Sequence, residues 1–176
     1  STRTLVSGNT LSSSVYGIRM KNSYNNTVDS NVVTRMDRDS VYLTTSNHNV
    51  ISGNTLANCS LTGYYGGIYM SDSGSNTIFG NTISSNKRGI RAYTSSNNVV
   101  YHNNFNKNTL QIYSSLSYNS WDNGDEGNYW SNYAGKDLNG DGLGDTAYVI
   151  DANNRDRYPL MKLWSVYALS LHVMDW

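Results

Sequence analysis

NTVDSNVV (26–33), NVISGNTL (49–56), NTIFGNTI (76–83) and NVVYHNNF (98–105) are copies of one phrase, Asn-x-apolar-x-x-Asn-x-apolar, and TLVSGNTL (4–11) is a partial copy. The second Asn of each phrase stands at Asn9, Asn31, Asn54, Asn81 and Asn103, at spacings of 22, 23, 27 and 22 residues. Between these copies runs a second phrase, GIRMKNS (17–23), SVYLTTS (40–46), GIYMSDS (67–73) and GIRAYTS (89–95), with TLQIYSS (109–115) as a degraded copy. A period near 22 that holds three short β runs is the length of one β-helix coil. The expected fold is all-β: a single-stranded right-handed parallel β-helix of about five coils with a C-terminal capping segment.

Alternation within the second phrase tells inside from outside. Ile18 and Met20, Val41 and Leu43, Ile68 and Met70, and Ile90 and Ala92 are apolar at period two, so they point inward, and Arg19, Tyr42, Tyr69 and Arg91 point out. One coil cannot bury its own apolar face, whereas coils stacked about 4.8 Å apart pair each strand with the next. Asn26, Asn49, Asn76 and Asn98 then form one ladder, Asn31, Asn54, Asn81 and Asn103 a second, and Ser23, Ser46, Ser73 and Ser95 a third. Stacked Asn amides hydrogen-bond along such a ladder, and Asn tolerates left-handed backbone at tight corners. A β-propeller or β-sandwich also uses many short strands, but neither explains Asn recurring twice per repeat at a fixed offset.

Thirteen Lys plus Arg balance thirteen Asp plus Glu. The attraction that drives nucleic-acid or anionic-membrane binding is therefore missing, and nucleic acid is not an expected partner. Pro occurs once, and Glu126 is the only Glu; the chain is poor in helix formers and rich in turn formers. Cys59, the single cysteine, cannot pair within the chain and is expected to be a buried filler. No run of eighteen apolar residues is present, so no membrane insertion is expected. The start, STRTLVSGNTL, lacks the pattern of a signal peptide and begins inside a repeat, so a piece of something longer is expected.

The repeats resemble the NosD-like group of parallel β-helix proteins, which shares its coil pattern with carbohydrate-binding and sugar-hydrolase (CASH-type) domains. The stretch SWDNGDEGNYWSNYAGKDLNGDGLGDTAYVIDANNRDRYPLM (120–161) is similar to the segment that closes many NosD-like archaeal surface and secreted proteins. This resemblance implies an extracellular or cell-surface setting. It divides the chain into coils (1–118), a capping segment (119–161) and a tail, KLWSVYALSLHVMDW (162–176), that departs from the family pattern. The group's namesake is associated with copper-centre maturation. That role needs ligands, and His48, His102 and His172 have no spacing that gathers them. Met20 and Met70 sit on the inward phase, as core packing requires.

Arg19, Tyr42, Tyr69 and Arg91 occupy one outward position in successive coils, and the longer third repeat puts Tyr64 and Tyr65 on a loop beside them. Aromatic faces and guanidinium groups suit sugar rings, hydroxyls and carboxylates, which makes these six residues the glycan-binding candidates. The competing account is that Tyr and Arg simply favour exposed sheet faces. Asp37, Arg38 and Asp39 before the second strand, with Arg88 in a similar place two coils on, are the runner-up catalytic candidates for a lyase or hydrolase. A solvated turn with local ion pairs is the plainer expectation for them.

In the closing stretch, Trp121, Tyr129, Trp130 and Tyr133 are placed to cover the open end of the apolar column. KDLNGDGLGD (136–145) sets Asp137, Asn139 and Asp141 at alternate positions before Gly142, like the first half of an EF-hand calcium loop. The Leu143 carbonyl would join them. Tyr148 stands where an EF-hand has its bidentate Glu, so Asp145 or Asp151 must close the shell around a structural Ca2+ ion. Three functions compete: a non-catalytic structural or glycan-binding module, a polysaccharide-active enzyme fragment, and a NosD-like metal-trafficking accessory. Glycan binding without turnover favours the first, and release of unsaturated uronides or reducing ends favours the second.

Overall fold

The computed structural model describes residues 1–60 and 63–165. Three parallel sheets run its length. The first stacks Leu5–Ser7, Thr27–Asp29, Val50–Ser52, Thr77–Phe79 and Val99–Tyr101. The second stacks Thr10–Ser12, Val32–Thr34, Thr55–Ala57, Thr82–Ser84, Asn104–Asn106 and Tyr129–Trp130. The third stacks Ile18–Lys21, Val41–Thr44, Gly66–Ser71, Arg88–Tyr93 and Leu110–Ser115. Like pairs with like one coil away: Val28 with Ile51, Val33 with Leu56, Ile68 with Ile90. The result is a parallel β-solenoid of about six turns rather than five. The difference arises because Tyr129–Trp130 pairs with Asn104–Asn106 and continues the second sheet into the closing segment.

The inward side chains form one continuous column. Ile18, Met20, Val41, Leu43, Ile68, Met70, Ile90 and Ala92 are all buried, and they meet Val28, Ile51, Ile78 and Val100 of the first sheet and Val33, Leu56, Ile83 and Phe105 of the second. Gly67 and Gly89 lead into their strands because the coils approach closely there: a Cβ would lie 2.6 Å and 2.4 Å from the carbonyl oxygens of Gly89 and Gln111.

Buried asparagines connect the coils at the corners. In the second ladder, each Nδ2 donates to the Oδ1 of the Asn one coil on, from Asn9 to Asn31, Asn54, Asn81, Asn103 and Asn128, at 2.8–3.0 Å. The first runs in the same way from Asn26 through Asn49, Asn76 and Asn98 to Asn119. Each amide also bonds to backbone carbonyls; Asn54 Nδ2 donates to Val28 O and Ser52 O as well. In the serine ladder the backbone N–H of Ser23, Ser46, Ser73 and Ser95 donates to the next Oγ.

In the asparagine ladders, up to Asn98 and Asn103, the left-handed backbone lies one residue before each ladder position, not at the asparagines themselves. Ser30, Gly53, Gly80 and His102 have φ of 53°, 61°, 65° and 55°, and Asn31, Asn54, Asn81 and Asn103 follow them. The corner residue turns the chain, and the Asn after it satisfies the polar groups that the turn exposes. His48, with φ of 56°, is a corner of the same kind before Asn49.

The closing segment ends these ladders with different residues. Asn119 N–H donates to Asn154 Oδ1, and Asn128 N–H donates to Asp156 Oδ2 at 2.7 Å. When ionised, Asp156 accepts and has no O–H to donate, so it terminates a chain of donors without a new donor to satisfy. The apolar column is covered by a stack in which Trp130 lies 4.4 Å from Phe105 and Tyr148 lies 4.2 Å from Trp130, both nearly parallel. Trp121 is fully buried beside them, and Tyr133 meets Tyr148 edge-on. Beyond this cap the chain returns along the solenoid. Trp164 exchanges hydrogen bonds with the Asn104 side chain and stacks on His102. His172 and the rest of the tail from residue 166 lie outside the described residues.

Candidate functional site

The outward face of the third sheet carries the site. Strand register puts Arg19 beside Tyr42, Tyr42 beside Tyr69, Tyr69 beside Arg91 and Arg91 beside Tyr113, a column of five rungs. Tyr113 was legible in the TLQIYSS copy but not among the six candidates. The rings touch: Tyr16 and Tyr42 are 5.3 Å apart, and Tyr42 and Tyr69 are 5.1 Å apart. Guanidinium groups lie over them, Arg19 at 4.7 Å from the Tyr16 ring and Arg91 at 3.8 Å from the Tyr69 ring.

The loop of the longer repeat folds down beside this column, as its length implied. Arg91 Nη1 donates to the Tyr64 carbonyl at 2.9 Å, and Arg88 Nη1 reaches the same oxygen at 3.4 Å. Arg88 lies over both the Tyr64 and Tyr113 rings, and Arg38 lies over Tyr16 and Tyr65. Tyr64, Tyr65, Tyr69, Arg88, Arg91, Tyr93 and Tyr113 enclose an open cleft of about 610 Å³. Ion pairs among the described residues are His102–Glu126 and Arg157–Asp122, so none of the four arginines of this face has a carboxylate partner there. Burial and the neighbouring Arg91 charge push the Arg88 guanidinium below its ordinary value.

Asp37, Arg38 and Asp39 do not form the solvated, ion-paired turn expected of them. Asp37 is exposed, Arg38 packs on tyrosines, and Asp39 is completely buried. Asp39 Oδ1 accepts the Gly66 N–H at 3.0 Å, whereas Oδ2 has no hydrogen-bond partner. Burial raises this carboxyl to about 6, against the lowering influence of Arg91. The two acids are thus divided between surface and interior, and no carboxylate lines the cleft. Cys59 is buried as expected, with a role that sequence reading missed: it is one rung of a fourth ladder. Met36 N–H donates to Cys59 Sγ, Cys59 N–H to Asn86 Oδ1, and Asn86 N–H to Asn108 Oδ1.

The acidic loop winds around Asp137, whose carboxylate accepts the N–H groups of Gly140, Asp141 and Gly142. Asn139 Nδ2 donates to Asp141 Oδ2, Leu143 N–H to Asp141 Oδ1, and Leu138 N–H to Asp145 Oδ2. Asp151 lies elsewhere, in the hairpin of Tyr148–Asp151 and Asn154–Asp156, where Asn153 N–H and the Asn154 amide occupy its oxygens. Asp125, unremarked in the sequence, shares a cavity rim with Asp141 and Asp145.

A parallel β-solenoid with an arginine and tyrosine face is the class that the geometry defines. The family described as "Periplasmic copper-binding protein (NosD)" matches residues 1–135, and the chain belongs to it. A curated relative, the "Probable ABC transporter binding protein NosD" of Stutzerimonas stutzeri, is 38% identical over 87 residues, 47% of this chain and 20% of the relative. The chain thus spans about a fifth of that relative's length.

The name of the family raises the question of copper, and the described residues do not fit it. No three His, Cys, Asp or Glu among them are grouped to hold a metal ion. Most of the soft donors are committed elsewhere, and His48 is an exposed corner residue outside any such group. Met20, Met36 and Met70 are buried in the core, Cys59 Sγ sits in a ladder, and His102 bonds Glu126 at 2.6 Å.

Proposed function

We propose that this chain is a non-catalytic glycan-binding stretch of an extracytoplasmic NosD-family solenoid, with the third-sheet face as its binding surface. One observation carries the reading: four arginines without ion-pair partners among the described residues are interleaved with tyrosines on this face, and two of them, Arg88 and Arg91, line an open cleft. Aromatic rings pack on sugar rings while guanidinium donors meet their oxygens. The periplasmic setting in the family's name supports the extracytoplasmic placement. The absence of carboxyls from the cleft lining argues against the two-acid arrangement of a hydrolase at this face. Titration with a panel of soluble polysaccharides tests it, with Tyr42→Ala/Tyr69→Ala as the control. Binding to the parent and loss in the double variant are expected; equal binding in both would remove this face from the reading.

Family membership favours a second reading, an accessory role like that of NosD proteins, in which this chain contributes scaffold rather than ligands. For the acidic loop we retain calcium as a proposal. Its support is the alternate spacing of Asp137, Asn139 and Asp141; the Asp137, Asp141 and Asp145 oxygens accept backbone N–H groups and are not gathered around one point, so calcium would have to draw them together. A metal-free Asx turn is the competing account.

A further inference from the structure

We propose that the cleft between Arg88 and Arg91 is a subsite for a carboxylated sugar, a uronate residue of an acidic polysaccharide; this rests on the glycan-binding reading above. The two guanidinium groups converge on one point, since both direct Nη1 at the Tyr64 carbonyl, at 3.4 Å and 2.9 Å. A guanidinium carries five N–H donors in a planar fork, and among the described residues each of these side chains spends one on the Tyr64 carbonyl. That fork matches a planar carboxylate in two-point contact better than it matches a single hydroxyl.

The surroundings favour an anion over a neutral sugar. Among the described residues no carboxylate forms an ion pair with Arg88 or Arg91; the buried Asp39 acts on both through space without touching either. Burial first, and the neighbouring Arg91 charge second, depress the Arg88 value, with Asp39 and the tyrosines acting in the opposite direction. An entering carboxylate relieves that repulsion. Tyr64 and Tyr65 on the loop side and Tyr69 and Tyr113 on the sheet side line the same cleft; each carries a guanidinium over one face, so it is their edges and remaining faces that meet the apolar side of a pyranose. Such walls also admit stacked bases, so a nucleic acid strand must be tested as a competitor.

The experiment is a calorimetric titration of the whole chain with an oligogalacturonate, its methyl ester and a single-stranded oligonucleotide of equal charge. The free acid is expected to bind, the ester to bind about tenfold or more weakly, and the acid to weaken as salt is raised. Arg91→Lys keeps the charge and loses the fork, and Arg88→Gln/Arg91→Gln loses both; each is expected to lower acid affinity by about tenfold or more while the chain still melts cooperatively well above the titration temperature. Equal binding of acid and ester would overturn the uronate subsite and leave the glycan reading intact. No binding of either would overturn both. Equal or tighter binding of the oligonucleotide, or parent-like acid binding in the double variant, would overturn the subsite.

Discussion

The repeated coils and the closing segment meet the same requirement by different means. Within the coils, each amide of the two asparagine ladders is satisfied by its own counterpart one coil on, as Asn54 is by Asn81. Translation then solves the hydrogen bonding of every coil with one short phrase. The closing segment has no next coil, so its solutions are particular: Asp156 accepts the last donors of one ladder, and Tyr148 and Trp130 cover the apolar column. Repetition makes a region easy to read and leaves it dependent on its ends, because an uncovered column would face water.

The strongest way to break the comparison is to damage the coil interior. Ile68→Asp buries an unpaired carboxylate between Val41 and Ile90 and is expected to cost more than about 5 kcal/mol, unfolding the middle coils. Tyr69→Ser, one residue along on the outer face, is expected to cost about 1 kcal/mol or less. Equal losses in thermal melts would mean that inside and outside are wrongly assigned.

Damage to the cap comes next. Trp130→Ala removes a ring stacked between Phe105 and Tyr148 together with its Nε1 bond to Asp156, and is expected to cost about 4 kcal/mol. Hydrogen exchange should then rise first in residues 98–130 and least near Val41 and Leu43. Uniform exchange along the chain would show that the end is not a separate problem from the coils.

A pH scan sharpens the contrast, since each region holds a buried acid raised by burial to about 6, Asp39 in the coils and Asp156 in the cap. Between the ordinary carboxyl value of 3.8 and about 6, the unfolded chain has lost the proton and the folded chain keeps it. Stability must therefore fall as pH rises through that window and level off above it, by about 3 kcal/mol for each group. Asp39→Asn is expected to remove one share of the slope and leave that of Asp156. A slope unchanged in that variant would show that Asp39 is not the orphaned acid it is taken to be.

The smallest expected effect belongs to the acidic loop. Saturating calcium, relative to chelator, is expected to stabilise the protein by about 2 kcal/mol, and Asp141→Ala to abolish the difference. Indifference of the parent protein to calcium would leave the loop as an Asx turn stabilised by its own N–H groups.

Periodicity alone specified the coil, its inward and outward faces and three of its ladders, because a side chain's direction in a strand depends only on local parity and stacking copies that parity along the chain. The Arg19, Tyr42, Tyr69 and Arg91 column followed from the same rule. Other features depended on residues far apart in the chain. The convergence of Arg88 and Arg91 on Tyr64, the burial of Asp39 beneath them and the place of Cys59 in a ladder of asparagines come from how a longer loop settles on neighbouring coils. The pairing of Asn128 with Asp156 and the return of Trp164 to Asn104 occur once, between unlike segments. Sequence pattern reports contacts that repeat; contacts made only once are fixed by packing, and only the tertiary structure decides them.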